Sequence, residues 1–225
     1  MNAFLFGIYP YIALAVFLLG SLIRYDRDAY TWKSDSSELL RRGQLRWGSN
    51  LFHLGILGIF FGHLFGLLTP LAVWHALGVT APQKQMLAIV AGGVAGAACL
   101  IGLLLLLHRR LTEARVRATS RTMDFVVLYL FAAQVLLGLY SISVSLGHRD
   151  GGEMLKFMAW AQGIFTLQPG VADVVADAAW VFKAHIVLGL TIFLVFPFTR
   201  LVHVWSGFAT VGYLARAYQI VRSRG

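Results

Sequence analysis

Five apolar stretches divide this chain, over about residues 4–23, 50–69, 86–107, 125–146 and 178–208. Each is near the ~20 residues a helix needs to cross a bilayer core. In lipid the backbone polar groups must be satisfied inside the segment, so the stretches predict an all-α membrane protein with five transmembrane helices. Only 13% of the 225 residues are charged and 58% are hydrophobic, against roughly 25% charged in an ordinary soluble domain, which excludes a typical soluble enzyme. Without a repeat or a low-complexity tract, residues 1–225 read as a single membrane domain with a basic C-terminal tail. The first stretch lacks a basic flank and a small-residue cleavage site, so it reads as a retained span rather than a signal peptide. The fifth carries Lys183, Pro197 and Arg200, so a kink or an extension beyond the lipid is expected.

The basic residues orient these spans. Arg24, Arg27, Lys33, Arg41, Arg42 and Arg46 fall in the first loop, and Arg109, Arg110, Arg115, Arg117 and Arg121 in the third. Arg200, Arg216, Arg222 and Arg224 fall at the C-terminal end, which leaves Lys84, Arg149, Lys156 and Lys183 for the opposite side. The positive-inside rule then puts the N-terminus outside and the C-terminus in the cytoplasm. The net charge of +9 follows from this topology and from contact with anionic lipid or an acidic partner; no groove-reading motif points to nucleic acid. Between spans four and five, MLKFMAWAQGIFTLQP is apolar but short and predicts a helix lying on the outer face rather than a sixth span.

Four histidines carry the chemistry. His75, His108 and His148 sit in loops or at span ends and read as solvated, but His53 and His63 lie in the second span and His185 and His203 in the fifth. An ionisable side chain inside a span is costly enough to mark function. At ~100° per residue, His185 and His203 share a face, and His53 and His63 share one broad face of their own helix. Spans two and five are antiparallel, which pairs His53 with His203 toward the cytoplasm and His63 with His185 toward the outside. The rises do not match, being about 27 Å between the fifth-span histidines and about 15 Å between those of the second. A helix crossing, the Pro197 kink or a tilted macrocycle must absorb the difference.

Two stacked bis-histidine sites suit haem. Zinc or copper needs three or four clustered ligands, and no carboxylate or thiolate lies nearby in these spans. Cys99, the single cysteine, sits in an apolar run and reads as a packing thiol, which excludes an iron–sulfur site and covalent haem attachment on this chain. Two axial histidines fill the iron's coordination sphere, so the site can pass electrons but has no open position for substrate. The expectation is a cytochrome b with two non-covalent b-type haems that acts as a transmembrane electron carrier. A di-haem anchor of some other oxidoreductase complex (formate, thiosulfate or heterodisulfide type), or a transporter or anchor without haem, remains the alternative.

The strings IYPYIALAVFLLGS, RYDRDAYTW, SNLFHLGILGIFFGHLFGLLTP, RRLTEARVRAT, HIVLGLTIFLVFPFTRLVHVWS and YLARAYQIVRSR resemble the gamma, or cytochrome b, subunit of membrane-bound respiratory nitrate reductase over essentially the whole chain. The resemblance implies that His53, His63, His185 and His203 ligate two haems in the pairing above. It implies a quinol site at the outward haem, where Lys84 of PQKQM matches the family's lysine at the start of the third span; Met86 stands where the family has a second basic residue. It also implies partners: a membrane quinol, an iron–sulfur subunit, and a molybdenum subunit that reduces nitrate, a reaction no residue on this chain can perform.

Three further features carry weaker signals. Gly58, Gly62 and Gly66 recur every four residues on a face turned mostly away from the histidines, which predicts close helix packing. Arg109 and Arg110 read first as a positive-inside stop and second as partners for a haem propionate or a neighbouring subunit's carboxylates. Arg200, three residues before His203, is the nearer candidate for a propionate.

Overall fold

The computed structural model describes residues 1–28, 42–148 and 150–205, so the predicted basic tail and part of the first loop, with Lys33, Arg41, Arg216, Arg222 and Arg224, lie outside the described residues. The described residues form helices and no strand. A π-helical turn, Phe4–Ile8, leads into α1 (Tyr9–Asp28), followed by α2 (Arg42–Leu68), α3 (Leu71–Ala76), α4 (Ala81–Thr112), α5 (Ala114–Ala118), α6 (Thr122–Ser145), α7 (Gly152–Phe165) and α8 (Trp180–Val195). Five helical segments are long and apolar enough to cross a membrane: Phe4–Arg27, Gly43–Leu68, Ala81–Thr112, Thr122–Ser145 and Trp180–Phe198. Leu18, Leu22, Leu54, Leu57, Val94 and Leu136 are exposed on them, a surface that lipid rather than water solvates.

Local sequence sets where the helices begin. Thr80 and Gln83 form a capping box at the start of α4, with Pro82 in the first turn where no backbone donor is required. At α6 the Asp124 carboxylate accepts from the Arg121 backbone N–H at 3.1 Å. Gly151 starts α7 at φ 87°, and a Cβ there would lie 2.8 Å from the Ala81 carbonyl carbon, so both conformation and space require glycine.

The spans pack in the order α2, α4, α6, α8, α1, and α2 and α8 share no extended helix-on-helix packing. The tightest crossing joins α2 to α4. A Cβ on Gly55 would come within 2.5 Å of the Cys99 backbone nitrogen, and one on Gly102 would strike the Phe52 backbone nitrogen. This corrects the glycine expectation: Gly58 faces Ala95, but a Cβ on Gly62 or Gly66 would meet nothing within 4 Å, and Gly48, Gly55 and Gly102 make the close approach. Hydropathy periodicity could not separate these glycines, because the choice depends on where α4 crosses. Cys99 is fully buried at this crossing, as a packing thiol should be.

Two cores close the bundle at its ends. At one, α7 packs Trp160, Ala161 and Ile164 against Phe6, Val171, Ala172 and Val175. Fourteen residues of helix span about 21 Å, too short for the ~30 Å hydrocarbon core. Instead α7 caps the first two spans: Trp160 Nε1 donates to the Phe6 carbonyl (2.9 Å), Tyr11 Oη to Ile164 (3.0 Å) and Gln162 Nε2 to Leu67 (2.9 Å). At the other end Val127, Phe196, Leu201 and Val202 form a second core with Phe17 and Trp205.

The fifth stretch is not one helix over 178–208. Regular helix stops at Val195, and two 3₁₀ turns, Phe196–Phe198 and Arg200–Val202, follow on either side of an extended Thr199 (φ −123°, ψ 177°). Pro197 has no N–H to continue the helix, and Thr199 Oγ1 accepts from the Leu201 N–H at 3.2 Å, capping the second turn.

Candidate functional site

The four span histidines meet in two pairs. His53 of α2 stands opposite His203 with ring centroids 6.2 Å apart and planes at 76°, and His63 stands opposite His185 of α8 at 6.1 Å and 38°. Helix α2 therefore faces α8 through His63 and His185, and the segment beyond α8 through His53 and His203. The break at 196–202 lies between the two fifth-span histidines, so the continuous helix that would carry His203 about 27 Å from His185 along its axis is not formed.

Hydrogen bonds select the ring nitrogen that faces the gap. Nδ1–H of His53 donates to the Ser49 carbonyl (2.7 Å), that of His63 to Ile59 (2.8 Å) and that of His203 to Arg200 (2.7 Å). A carbonyl only accepts, so the proton sits on Nδ1 and the Nε2 lone pair is left for a ligand. His185 differs. Its Nδ1 is buried without a partner among the described residues, and Gln134 of α6 donates its amide to the His185 carbonyl at 3.1 Å. Gly138, one turn along α6, makes room for the ring, since a Cβ there would lie 3.0 Å from His185 Cε1.

This donor set fits haem. An imidazole nitrogen bonds a metal at ~2 Å, which puts each ring centroid roughly 3 Å from the metal and two opposed rings roughly 6 Å apart. Both pairs have that separation. Among the described residues no group of three or more His, Cys, Asp or Glu side chains could hold a metal ion, so a clustered zinc or copper site has no ligands there.

The ends of the bundle differ in charge. Around His203, Asp124 accepts from Arg110 at 2.9 Å and from Arg200 at 3.5 Å, and Arg24 of α1 donates to the carbonyls of Pro197 (2.6 Å) and Thr199 (2.8 Å). Arg109 is buried on the same end of α4. Asp124, Arg24, Gln134 and Gly138 were not singled out by sequence, where Arg24 counted as loop charge and Asp124 carried no signal beyond a helix start.

Around His63 the basic residue is Lys84. It is 3% exposed, its ammonium donates to the Gly66 carbonyl one turn beyond His63 (2.6 Å), and it lies 5.1 Å from the Trp74 ring centroid. Its neighbour Gln85 donates to the carbonyls of Ser145 (3.2 Å) and His148. Farther out, Lys156 bridges Glu153 (3.0 Å) and Asp177 (2.7 Å). Those hydrogen bonds, Asp177 first, raise the Lys156 ammonium above its usual range, and Lys156 in turn holds the Asp177 carboxyl below its own. His108 pairs with Gln44 at 3.0 Å, and His75 and His148 lie away from the paired rings.

Comparison with known proteins accords with this geometry. The family model described as nitrate reductase gamma subunit matches residues 2–224. The chain is 54% identical over 226 residues to the respiratory nitrate reductase 2 gamma chain of Escherichia coli (strain K12), covering 100% of this chain and 98% of that protein. It is 50% identical over 224 residues to the respiratory nitrate reductase 1 gamma chain of the same organism, again at 100% and 98%. It is 37% identical over 220 residues to the nitrate reductase gamma chain of Bacillus subtilis (strain 168), covering 98% of this chain and 97% of that one. The chain belongs to the nitrate reductase gamma subunit family, the membrane cytochrome b subunits of respiratory nitrate reductase.

Proposed function

We propose that this subunit oxidises a membrane quinol and carries the electrons across the bilayer to the nitrate-reducing subunits of its complex. His53 with His203 and His63 with His185 hold two non-covalent b-type haems. A haem held between two such histidines would supply one-electron transfer rather than substrate chemistry. The observation that carries this reading is the pair of ring separations, 6.1 and 6.2 Å, one near each end of the bundle.

Quinol docks at the His63–His185 end. There the Lys84 ammonium, already held by Gly66, has further N–H donors with which to bind a quinol oxygen and stabilise the negative charge that develops as the hydroxyl loses its proton. The end bearing Arg24, Arg110 and Arg200 faces the cytoplasm by the positive-inside rule, with the N-terminus outside. Protons from quinol then leave on the outer side while electrons pass inward to an iron–sulfur subunit and on to a molybdenum subunit, so turnover separates charge. Family membership favours these partners over those of a formate, thiosulfate or heterodisulfide enzyme.

A pyridine haemochrome assay on the intact complex tests the reading. Two haems per gamma chain are expected, and a content near one or zero overturns it.

A further inference from the structure

We propose that Arg24, on the first span, is a positioning residue for His203: its guanidinium holds the Pro197 and Thr199 carbonyls, one on each side of the break in the fifth span, and replaces the backbone donor that the first of them has lost. In a continuous helix the Pro197 carbonyl would accept from the N–H of residue 201 and the Thr199 carbonyl from that of residue 203. Both donors are spent elsewhere, the Leu201 N–H on Thr199 Oγ1 and the His203 N–H on the Arg200 and Leu201 carbonyls. The Pro197 carbonyl is left over, and the Thr199 carbonyl keeps only the Val202 N–H of the tighter 3₁₀ turn; Arg24 Nη1 reaches both, at 2.6 and 2.8 Å.

The same face of α1 reads the break twice more. Gly20 allows Pro197 to approach, since a Cβ there would lie 2.9 Å from Pro197 Cγ, and Ser21 Oγ accepts from Trp205 Nε1 at 3.2 Å. An unsatisfied carbonyl is costly where water is excluded, so without Arg24 the broken conformation loses its advantage over a longer helix. A longer helix carries His203 away from His53. Arg24 thus acts on one histidine pair and leaves the other, on the unbroken part of α8, untouched.

The inference rests on the haem reading above, and the test separates the two. Arg24→Leu and Arg24→Lys are compared with the unmodified protein in the assembled, membrane-bound complex by optical redox titration and low-spin electron paramagnetic resonance, with His203→Ala as reference. Arg24→Leu is expected to lower haem affinity at the His53–His203 site roughly 10-fold or more and to alter the signal of that haem alone. Arg24→Lys, which keeps donors on a flexible stem, restores most of the signal. Should Arg24→Leu fail to assemble, Arg24→Gln is read in the same way. A His53–His203 haem unchanged in content, potential and resonance signal overturns the inference, as does equal damage to both haems. If His203→Ala leaves both haems in place, the ligand assignment itself is wrong.

Discussion

The Gly66 carbonyl accepts a 2.6 Å hydrogen bond from the Lys84 ammonium, and Gly66 lies one turn beyond His63 on the same helix. A buried cation is thereby held close to the His63–His185 end of the bundle. Lys84→Ala is expected to slow quinol-driven turnover at limiting quinol by about 10²-fold or less, since a single such donor typically accounts for 10² to 10³. Turnover driven by a dye that feeds the partner subunits directly should be unchanged, with both haems present. Equal quinol-driven rates in the two proteins would reduce Lys84 to a structural clasp between α4 and α2.

The ring pairing predicts which variants behave alike. His63→Ala and His185→Ala should abolish the same redox transition, and His53→Ala and His203→Ala the other, as read by potentiometric titration of the complex. Members of one pair that removed different transitions would contradict the assignment.

Close backbone approach at the α2–α4 crossing predicts an asymmetry among glycines. Gly55→Ala places a methyl against the Cys99 nitrogen and the Ala95 carbonyl, and overpacking of this kind costs about 1–3 kcal/mol. Gly43→Ala, with nothing within 4 Å, should leave the thermal transition of the detergent-solubilised protein in place.

Lys156, braced by Glu153 on its own helix, ties α7 to the segment before α8 through Asp177, and the Asp177 carboxylate is exposed, so the effect is small and screened by salt. The Asp177 carboxyl titrates below its usual range, so its contribution is present above that range and is lost as pH falls through the lowered value. The Lys156 ammonium titrates above its usual range, so its contribution is present below that range and is lost as pH rises through the raised value. Amide protection in α7, taken relative to intrinsic exchange at each pH, should therefore fall at both extremes of pH, and Lys156→Met should remove that fall. Protection with the same pH profile in Lys156→Met would contradict this.

The charge asymmetry predicts topology. A reporter fused after Gly225 should register the cytoplasm, and an external signal would reverse the orientation drawn from the arginines.

How much of the molecule its sequence contained depends on the distance over which each feature is determined. The spans were legible because hydropathy and length act locally, and the meeting of His53 with His203 and of His63 with His185 followed from face and chain direction alone. The short helix after span four was legible as a helix too short to cross. Its role as the hub of a core with Phe6 and Trp160 was not, because that core joins residues some 154 positions apart.

Tertiary structure decided the rest. The mismatch of about 27 Å against 15 Å could be stated from helical rise but not resolved. At the break Thr199 caps a new turn, and Arg24, 175 positions away in sequence, donates to the Thr199 carbonyl. Likewise the glycines that matter at the α2–α4 crossing are those whose missing Cβ admits another backbone, which no periodicity within one helix can reveal. Sequence by itself determined that the chain spans a membrane and that four histidines share two helices. The packing of remote segments decided how a broken helix brings the last of those histidines to its partner, because the Pro197 carbonyl, without a backbone donor in its own span, is met by an Arg24 that the fold delivers from another.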